Sequence, residues 1–286
     1  MEQINNIEQI SSETIRLFSG AKVEWSKSKE LIWEHNFDEL FQETKVKKVN
    51  FKQHILKLSI AASFLLLIGI GSFGWFYTES FYSPAGTHLT ASLPDGSTVE
   101  MNAESSIKFH PYRWAVARNV EFEGEGFFEV QKGKKFTVES QLGETSVLGT
   151  SFNVYSRDET YRVLCLTGKV GVEASSKESV ILNPNQEVII KSGKVFKRND
   201  NVIPENTTSW RFNQFLYTAA PFKEVIKEIE RQYGISISSN ENLNDLISCN
   251  FQKGPDVEEI LSVVCKPLGY NFTKASEKQY LITRNK

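Results

Sequence analysis

The sequence predicts a multi-domain chain: a small all-α segment, one membrane-spanning helix, an antiparallel all-β domain and a C-terminal α+β domain. Three observations predict it. Positions 58–78, LSIAASFLLLIGIGSFGWFYT, carry no charge. From Gly86 to about Val195 short runs alternate apolar and polar residues between turn signals. Beyond Trp210 the pattern changes to helix-period stretches flanked by short strands.

The composition excludes several classes. With 33 basic and 35 acidic residues the chain is not a strongly basic nucleic-acid binder. Its four histidines lie far apart, and Cys165, Cys249 and Cys265 form no CxxC and have no His nearby, so metal-ligand spacing is absent. No Walker sequence, GxSxG or paired catalytic carboxylates occur, and no cofactor is expected. The apolar run starts too late for a cleaved secretory signal and has no small-residue cleavage site after it.

Residues 1–57 form the first region. Positions 1–44 hold nine acids against four bases. Ile4, Ile7 and Ile10 repeat every three residues, and Gly20 reads as a helix stop. Trp33, Phe37, Leu40 and Phe41 then fall on one helical face, with Trp25 and Ile32 extending the apolar set. Two or three short amphipathic helices result. Fewer than ~60 residues make a poor independent core, so these aromatics either fill a small bundle or meet a partner that completes it.

Residues 58–78 are about long enough to cross a bilayer core, which takes ~20 residues. Lys45, Lys47, Lys48, Lys52 and Lys57 precede the run; Trp75, Phe76, Tyr77, Phe81 and Tyr82 form a belt at its far end. The positive-inside rule then places 1–57 in the cytoplasm and 79–286 outside. The GxGxxG match at Gly69–Gly74 is not a dinucleotide fingerprint, because it lies within the apolar span and not between a strand and a helix; these glycines read as tolerated small residues.

Residues 79–198 read as an antiparallel roll or sandwich. HLTASL, STVEMN, RNVEFE, GFFEVQ, KFTVES, TSVLGTSFNVYS and YRVLCLTGKVGVE are separated by signals such as Asp95-Gly96, Lys132-Gly133 and Asn183-Pro184. Leu93-Pro94-Asp95-Gly96-Ser97, Met101-Asn102, Gly124-Glu125-Gly126-Phe127-Phe128-Glu129-Val130, Val147-Leu148-Gly149-Thr150-Ser151-Phe152-Asn153-Val154 and Gly168-Lys169-Val170 resemble, in order, the motifs of the FecR domain. The usual Pro-Gly-Gln turn of that domain is Pro184-Asn185-Gln186 here, a mild departure since Asn also tolerates positive φ.

The resemblance implies a membrane-spanning regulator of an extracytoplasmic-function sigma factor in the inner membrane. The sigma factor would be bound by the cytoplasmic helices, at Trp25, Trp33, Phe37, Leu40 and Phe41. The signal would come from the periplasmic signalling domain of an outer-membrane TonB-dependent receptor. Release would follow proteolysis by a membrane protease near or within the membrane helix, with no direct contact to nucleic acid. Some FecR-like proteins also cleave themselves at a Gly-Thr peptide, for which Gly149-Thr150 is the matching pair; the alternative is an intact strand in which Gly149 allows close packing.

Positions 199–209, NDNVIPENTTS, read as a polar linker, and 210–286 as an α+β domain of βαββαβ type. A strand spans Phe212–Tyr217. Pro221 opens a helix carrying Phe222, Val225, Ile226, Ile229 and Tyr233, which Gly234 stops. Pro255 opens a second helix with Ile260, Leu261, Val264, Cys265 and Leu268, which Gly269 closes. The tail is similar to the secretin and TonB-receptor short N-terminal fold carried by many longer FecR-like proteins of Bacteroidota. Cys249 and Cys265 either form a disulfide closing a short loop or sit as two buried thiols. Tyr112 and Trp114 could stack on a sugar ring, though core or interface positions suit them better. The competing reading of the whole chain is a membrane-anchored periplasmic adaptor for envelope polymers or a transporter, with no sigma control.

Overall fold

The computed structural model describes residues 51–284 and, before them, residues 20, 26–28, 30, 31 and 34. The expected N-terminal helices, with Trp25, Trp33, Phe37, Leu40 and Phe41, lie outside the described residues. The chain divides into two compact units, Met1–Ser63 and Phe64–Lys286.

Helix α1 spans Phe51–Phe76, so it begins before the expected boundary at Leu58 and ends before Tyr77 and Thr78. Its 22 residues Ile55–Phe76 are apolar enough to cross a membrane. At 1.5 Å per residue they extend about 33 Å, matching a hydrocarbon core of ~30 Å. Leu58, Leu65 and Phe73 are all exposed, so the helix is apolar around its girth, as a lipid-facing helix must be. The Ser59 and Ser63 hydroxyls donate to the Ile55 and Ser59 carbonyls at 2.7 Å, which removes polar groups from an apolar surface.

Thirteen strands follow: β1 Glu79–Ser83, β2 Leu89–Ser92, β3 Thr98–Met101, β4 Ser105–Phe109, β5 Arg118–Glu129, β6 Phe136–Ser140, β7 Gly143–Val147, β8 Ser151–Arg157, β9 Thr160–Cys165, β10 Val170–Ala174, β11 Ser179–Leu182, β12 Glu187–Lys191 and β13 Lys194–Asn199. They form two layers that share β5. One runs β1-β4-β5-β6-β7-β10-β11, the other β2-β3-β5-β8-β9-β12-β13.

The 12-residue β5 changes layer at Gly124: Ser106 pairs with Glu123, and Gly124 already pairs with Ser156 of the other layer. Gly124 has φ +107°, and a Cβ there would lie 2.6 Å from the Ser105 Cα, so only glycine permits this bend. Phe122 and Phe128 flank it and meet edge to face, with ring centroids 5.1 Å apart; Phe128 stacks on Phe152 at the same distance. These rings centre the sandwich core.

One pairing departs from the expected antiparallel pattern: β5 and β6 are parallel, Arg118 opposite Phe136. The curl of β5 explains it, because its end returns beside its start. The buried Arg118 donates to the Gln131 carbonyl at 2.9 Å and the Lys134 carbonyl at 2.7 Å, and pairs with Asp95. Burial works against ionisation of Asp95, yet hydrogen bonds from the Ser97 amide and from Arg118 hold its carboxyl below the ordinary range. The Leu93–Ser97 turn is thus a clamp that closes β5 on itself.

The segment expected as a linker contains helix α2, Pro204–Thr208, then a 3₁₀ turn Ser209–Phe212 with Trp210 buried. Next come β14 Gln214–Pro221, α3 Phe222–Tyr233, β15 Ser236–Ser239, β16 Leu246–Gln252, α4 Val257–Cys265, β17 Tyr270–Ser276 and β18 Gln279–Arg284. β14 pairs with β16; β15, β18 and β17 form a second sheet in which β15 and β18 are parallel. The order is βαββαββ, the expected βαββαβ type closed by a β17–β18 hairpin that contains the apolar stretches Tyr270–Phe272 and Tyr280–Ile282. The expected strand at Phe212 begins at Gln214 because Asn213 turns left-handed at φ +57°. Pro221 caps α3 from outside, and Asp256 caps α4 by accepting from the Glu258 amide at 2.8 Å. Gly234 and Gly269 stop their elements in the left-handed conformation.

Candidate functional site

Two features of the Phe64–Lys286 unit carry chemistry. The first is a buried polar seam between the β sandwich and the C-terminal domain. α3 buries Val225, Ile226 and Ile229 against its own sheets, as its period predicts. It also buries Glu228, Arg231 and Gln232, which face the sandwich. Opposite them stands Glu125, projecting from β5 just past its bend.

Asn102 Nδ2 bridges the two carboxylates, 2.9 Å from Glu125 and 3.2 Å from Glu228. Gln232 Nε2 donates to Asn102 Oδ1 at 2.6 Å and to Glu228 at 2.8 Å. Arg231 Nε reaches Glu228 at 2.9 Å, and Asn153 Nδ2 reaches Glu125 at 3.1 Å. Burial, and then the neighbouring Glu228, push the Glu125 carboxyl above its ordinary value. Glu228 is buried as well, but Arg231 and Arg157 hold it below its ordinary value. The seam thus shifts its two carboxyls in opposite directions. His88, 3.2 Å from Gln232, is lowered by burial and favours its neutral form. At the margin Arg211 pairs with Glu100 and stacks over Phe127, its guanidinium 3.6 Å from the ring centroid. A cavity of about 600 Å³ opens beside the seam, lined among others by Arg162, Trp210, Lys223 and Lys227.

The second feature is the Gly149–Thr150 junction, in the turn between β7 and β8. Gly149 has φ +148°, and a Cβ there would lie 2.7 Å from the Lys132 Cα, so no other residue fits without displacing that backbone. The turn is fastened on both sides: Gly133 N donates to Leu148 O and Val130 N to Thr150 O, each at 2.9 Å. Thr150 is buried, and its hydroxyl has no hydrogen-bond partner in the protein. A cavity of about 410 Å³, lined by Lys135, Leu148, Gly149, Thr150, Gly168 and Lys169, adjoins it. Gly149 thus combines an unusual backbone conformation with a following buried hydroxyl that no protein group engages.

The other sequence-derived sites resolve as follows. Trp114 is core, edge to face with Phe109 and Phe136 at 5.5 and 5.9 Å, so it offers no sugar platform. Tyr112 is exposed but lies against Tyr77 at the end of α1. Cys165, Cys249 and Cys265 are free thiols in this structure. Cys265 is buried on the core face of α4 and Cys249 packs against the same cluster, and burial pushes their thiols up to about 12 and about 11. Sequence reading missed the seam, because Glu228, Arg231 and Gln232 sit on the polar side of an amphipathic helix, where solvent is the natural expectation.

Residues 80–171 match the family model described as FecR protein, and residues 214–282 match the model described as FecR, C-terminal. Two crystal structures, at 2.50 and 1.65 Å resolution, of a candidate anti-sigma factor from Parabacteroides distasonis ATCC 8503 are similar to this chain. Each is 27% identical, covers 73% of this chain and 100% of its own, and superposes with a TM-score of 0.67. No curated relative matches the chain. The two family models fall on the sandwich and on the α+β domain, and this chain belongs to the FecR family.

Proposed function

We propose that this chain is a single-pass anti-sigma factor of the inner membrane. Residues 1–57 would hold an extracytoplasmic-function sigma factor in the cytoplasm. Residues 79–286 would receive a signal from the periplasmic domain of an outer-membrane TonB-dependent receptor, and a membrane protease would complete release. A role in sigma regulation is supported by the FecR domain and by the similar anti-sigma structure. The observation that carries the reading is the placement of both FecR modules on one side of a single apolar helix whose opposite end is rich in lysine.

Covering sigma surfaces needs apolar anchors in the cytoplasmic segment, and the tryptophans supply them. Solubilised from its membrane, the full chain should co-purify with a sigma factor, and Trp33→Ala should weaken that retention by tenfold or more, an aromatic anchor being worth roughly 2 kcal/mol. Retention of no polymerase-related protein would leave the chain without a sigma partner and defeat the reading. A reporter fused after Lys286 should be active only outside the cytoplasm.

The junction at Gly149–Thr150 is part of the same reading. The Thr150 hydroxyl oxygen would attack the Gly149 carbonyl carbon. The C–N bond would break as the nitrogen takes the proton, and water would hydrolyse the resulting ester. Two fragments on a denaturing gel, restored to one band by Thr150→Ala, are the expected result. A single full-length band from the unaltered protein would rule cleavage out.

A further inference from the structure

The membrane helix and the sandwich are joined with almost no slack. Only Tyr77 and Thr78 separate the end of α1 at Phe76 from β1 at Glu79. Tyr77 is tied down at both its amide and its carbonyl: Tyr77 N donates to Phe73 O at 2.9 Å, and the His110 ring nitrogen lies 3.0 Å from the Tyr77 carbonyl. Glu79 pairs with Phe109 at the end of β4, so the loop after β4, Pro111–Ala117, comes down beside the helix.

Its depth can be read from its contacts. Tyr112 Cβ and Cγ each lie 3.9 Å from the place a Cβ would occupy on Gly74. Gly74 is two residues inside the end of α1, about 3 Å below its last residue. The Tyr112 ring is 5.5 Å from that of Tyr77, and the Arg113 guanidinium is 4.9 Å from the Trp75 ring. Trp and Tyr at a helix end mark the headgroup level of a bilayer, so Tyr112 sits at that level or just beneath it. Val116, four residues on in the same loop, is 73% exposed, an apolar side chain left open to its surroundings.

The loop is held rigidly in this attitude. Trp114, between the two exposed side chains, is 7% exposed and locked into the sandwich core. The Val116 and Ala117 amides both donate to the Arg113 carbonyl at 2.9 Å, and Lys134 Nζ donates to the Ala115 carbonyl at 3.1 Å. Apolar tips with Arg113 and Lys134 behind them suit phospholipid: acyl carbons below, phosphates above.

We propose that the loop Pro111–Ala117 is a second membrane contact of this protein. In it Tyr112 and Val116 are seated in the interfacial layer of the bilayer that α1 crosses, and Arg113 and Lys134 lie at the phosphates. The occupant of this exposed patch is phospholipid, because the patch is continuous with the membrane helix and level with its aromatic end. The contact makes the sandwich a body seated on the membrane, so a force applied to it reaches α1 as tilt. Gly74 acquires a role that Gly69 and Gly71 lack, since nothing lies within 4 Å of a Cβ at either of those.

This inference rests on the single-pass reading, and its test separates the two. The full chain, carrying photoreactive benzoylphenylalanine in place of Val116, is reconstituted in phosphatidylethanolamine–phosphatidylglycerol vesicles and irradiated, and lipid adducts are measured by mass spectrometry. The same probe replaces Leu65 within α1, and Ile181 on β11 at the opposite edge of the layer that begins with β1. Adducts are expected at 65 and at 116, the latter about tenfold above 181. Adduct at 65 with no more at 116 than at 181 would overturn the loop contact alone. No adduct at 65 would overturn the single-pass reading and this contact with it.

Discussion

β5 has two faces, and they are built on opposite principles. On one, Phe122 and Phe128 pack with Phe136 and Phe152 in an apolar core. On the other, Glu125 and Phe127 meet the C-terminal domain, where two carboxylates, Asn102, Gln232 and Arg231 share a buried network. Apolar burial stabilises without direction, by ~1.5–3 kcal/mol for each large side chain. Buried charges are tolerated only while every partner is present, because desolvation costs about as much as the pairing returns. The core therefore resists gradual change, whereas the seam is poised to lose its fit when one proton or one partner is disturbed.

The contrast can be broken on its strong side first. Phe128→Ala should cost the sandwich ~3–5 kcal/mol, since the close-packed rings cannot collapse into the space left. Urea denaturation should show the loss in one transition for both domains. Arg231→Ala should cost ~3 kcal/mol, by leaving Glu228 ionised, buried and unpaired beside Glu125. Its signature should differ: protease cutting between positions 199 and 213 should appear at urea concentrations at which the sandwich remains folded.

Proton linkage sharpens the contrast further, because the two carboxyls shift in opposite directions. Glu125 is raised in the folded state, so its advantage is complete below the unfolded carboxylate range and is lost as pH rises through the folded value. Glu125→Gln should therefore close its stability gap to the unaltered protein, or overtake it, as pH rises above the ordinary carboxylate range. Glu228 is lowered, so its contribution is present above the unfolded range and is lost as pH falls through the folded value. Glu228→Gln should cost most near neutrality and least in acid. Equal pH slopes for the two variants would show that the seam does not divide its charges as described. The smallest effect is chemical: all three thiols should resist alkylation at pH 8 until the protein unfolds, since burial raises Cys165 and Cys249 to about 11 and Cys265 to about 12.

Much of the fold was legible because it rests on local rules. The uncharged run, the alternation of RNVEFE and GFFEVQ, and the glycine stops at Gly234 and Gly269 each report a constraint carried by neighbouring residues. Asp95-Gly96 was legible as a turn but not as the partner of Arg118, which lies 23 positions further on. Gly149-Thr150 stood out as a motif, whereas the free hydroxyl and the close approach of Lys132 appear only when β5 has curled back. The seam was not legible at all, because Glu228, Arg231 and Gln232 have the composition of an ordinary solvated helix face.

By itself the sequence determined the order of the modules, the position of the long apolar helix, the turns, and the apolar face each C-terminal helix shows its own sheet. Each of these follows from periodicity or from one residue's backbone preference, and both act over a few positions. Tertiary structure alone decided that β5 runs parallel to β6, that a polar helix face is buried against a second domain, and that Tyr112 rests on Gly74. Those contacts join residues tens to more than a hundred positions apart, and their chemistry carries no period, so only the closed fold brings them together.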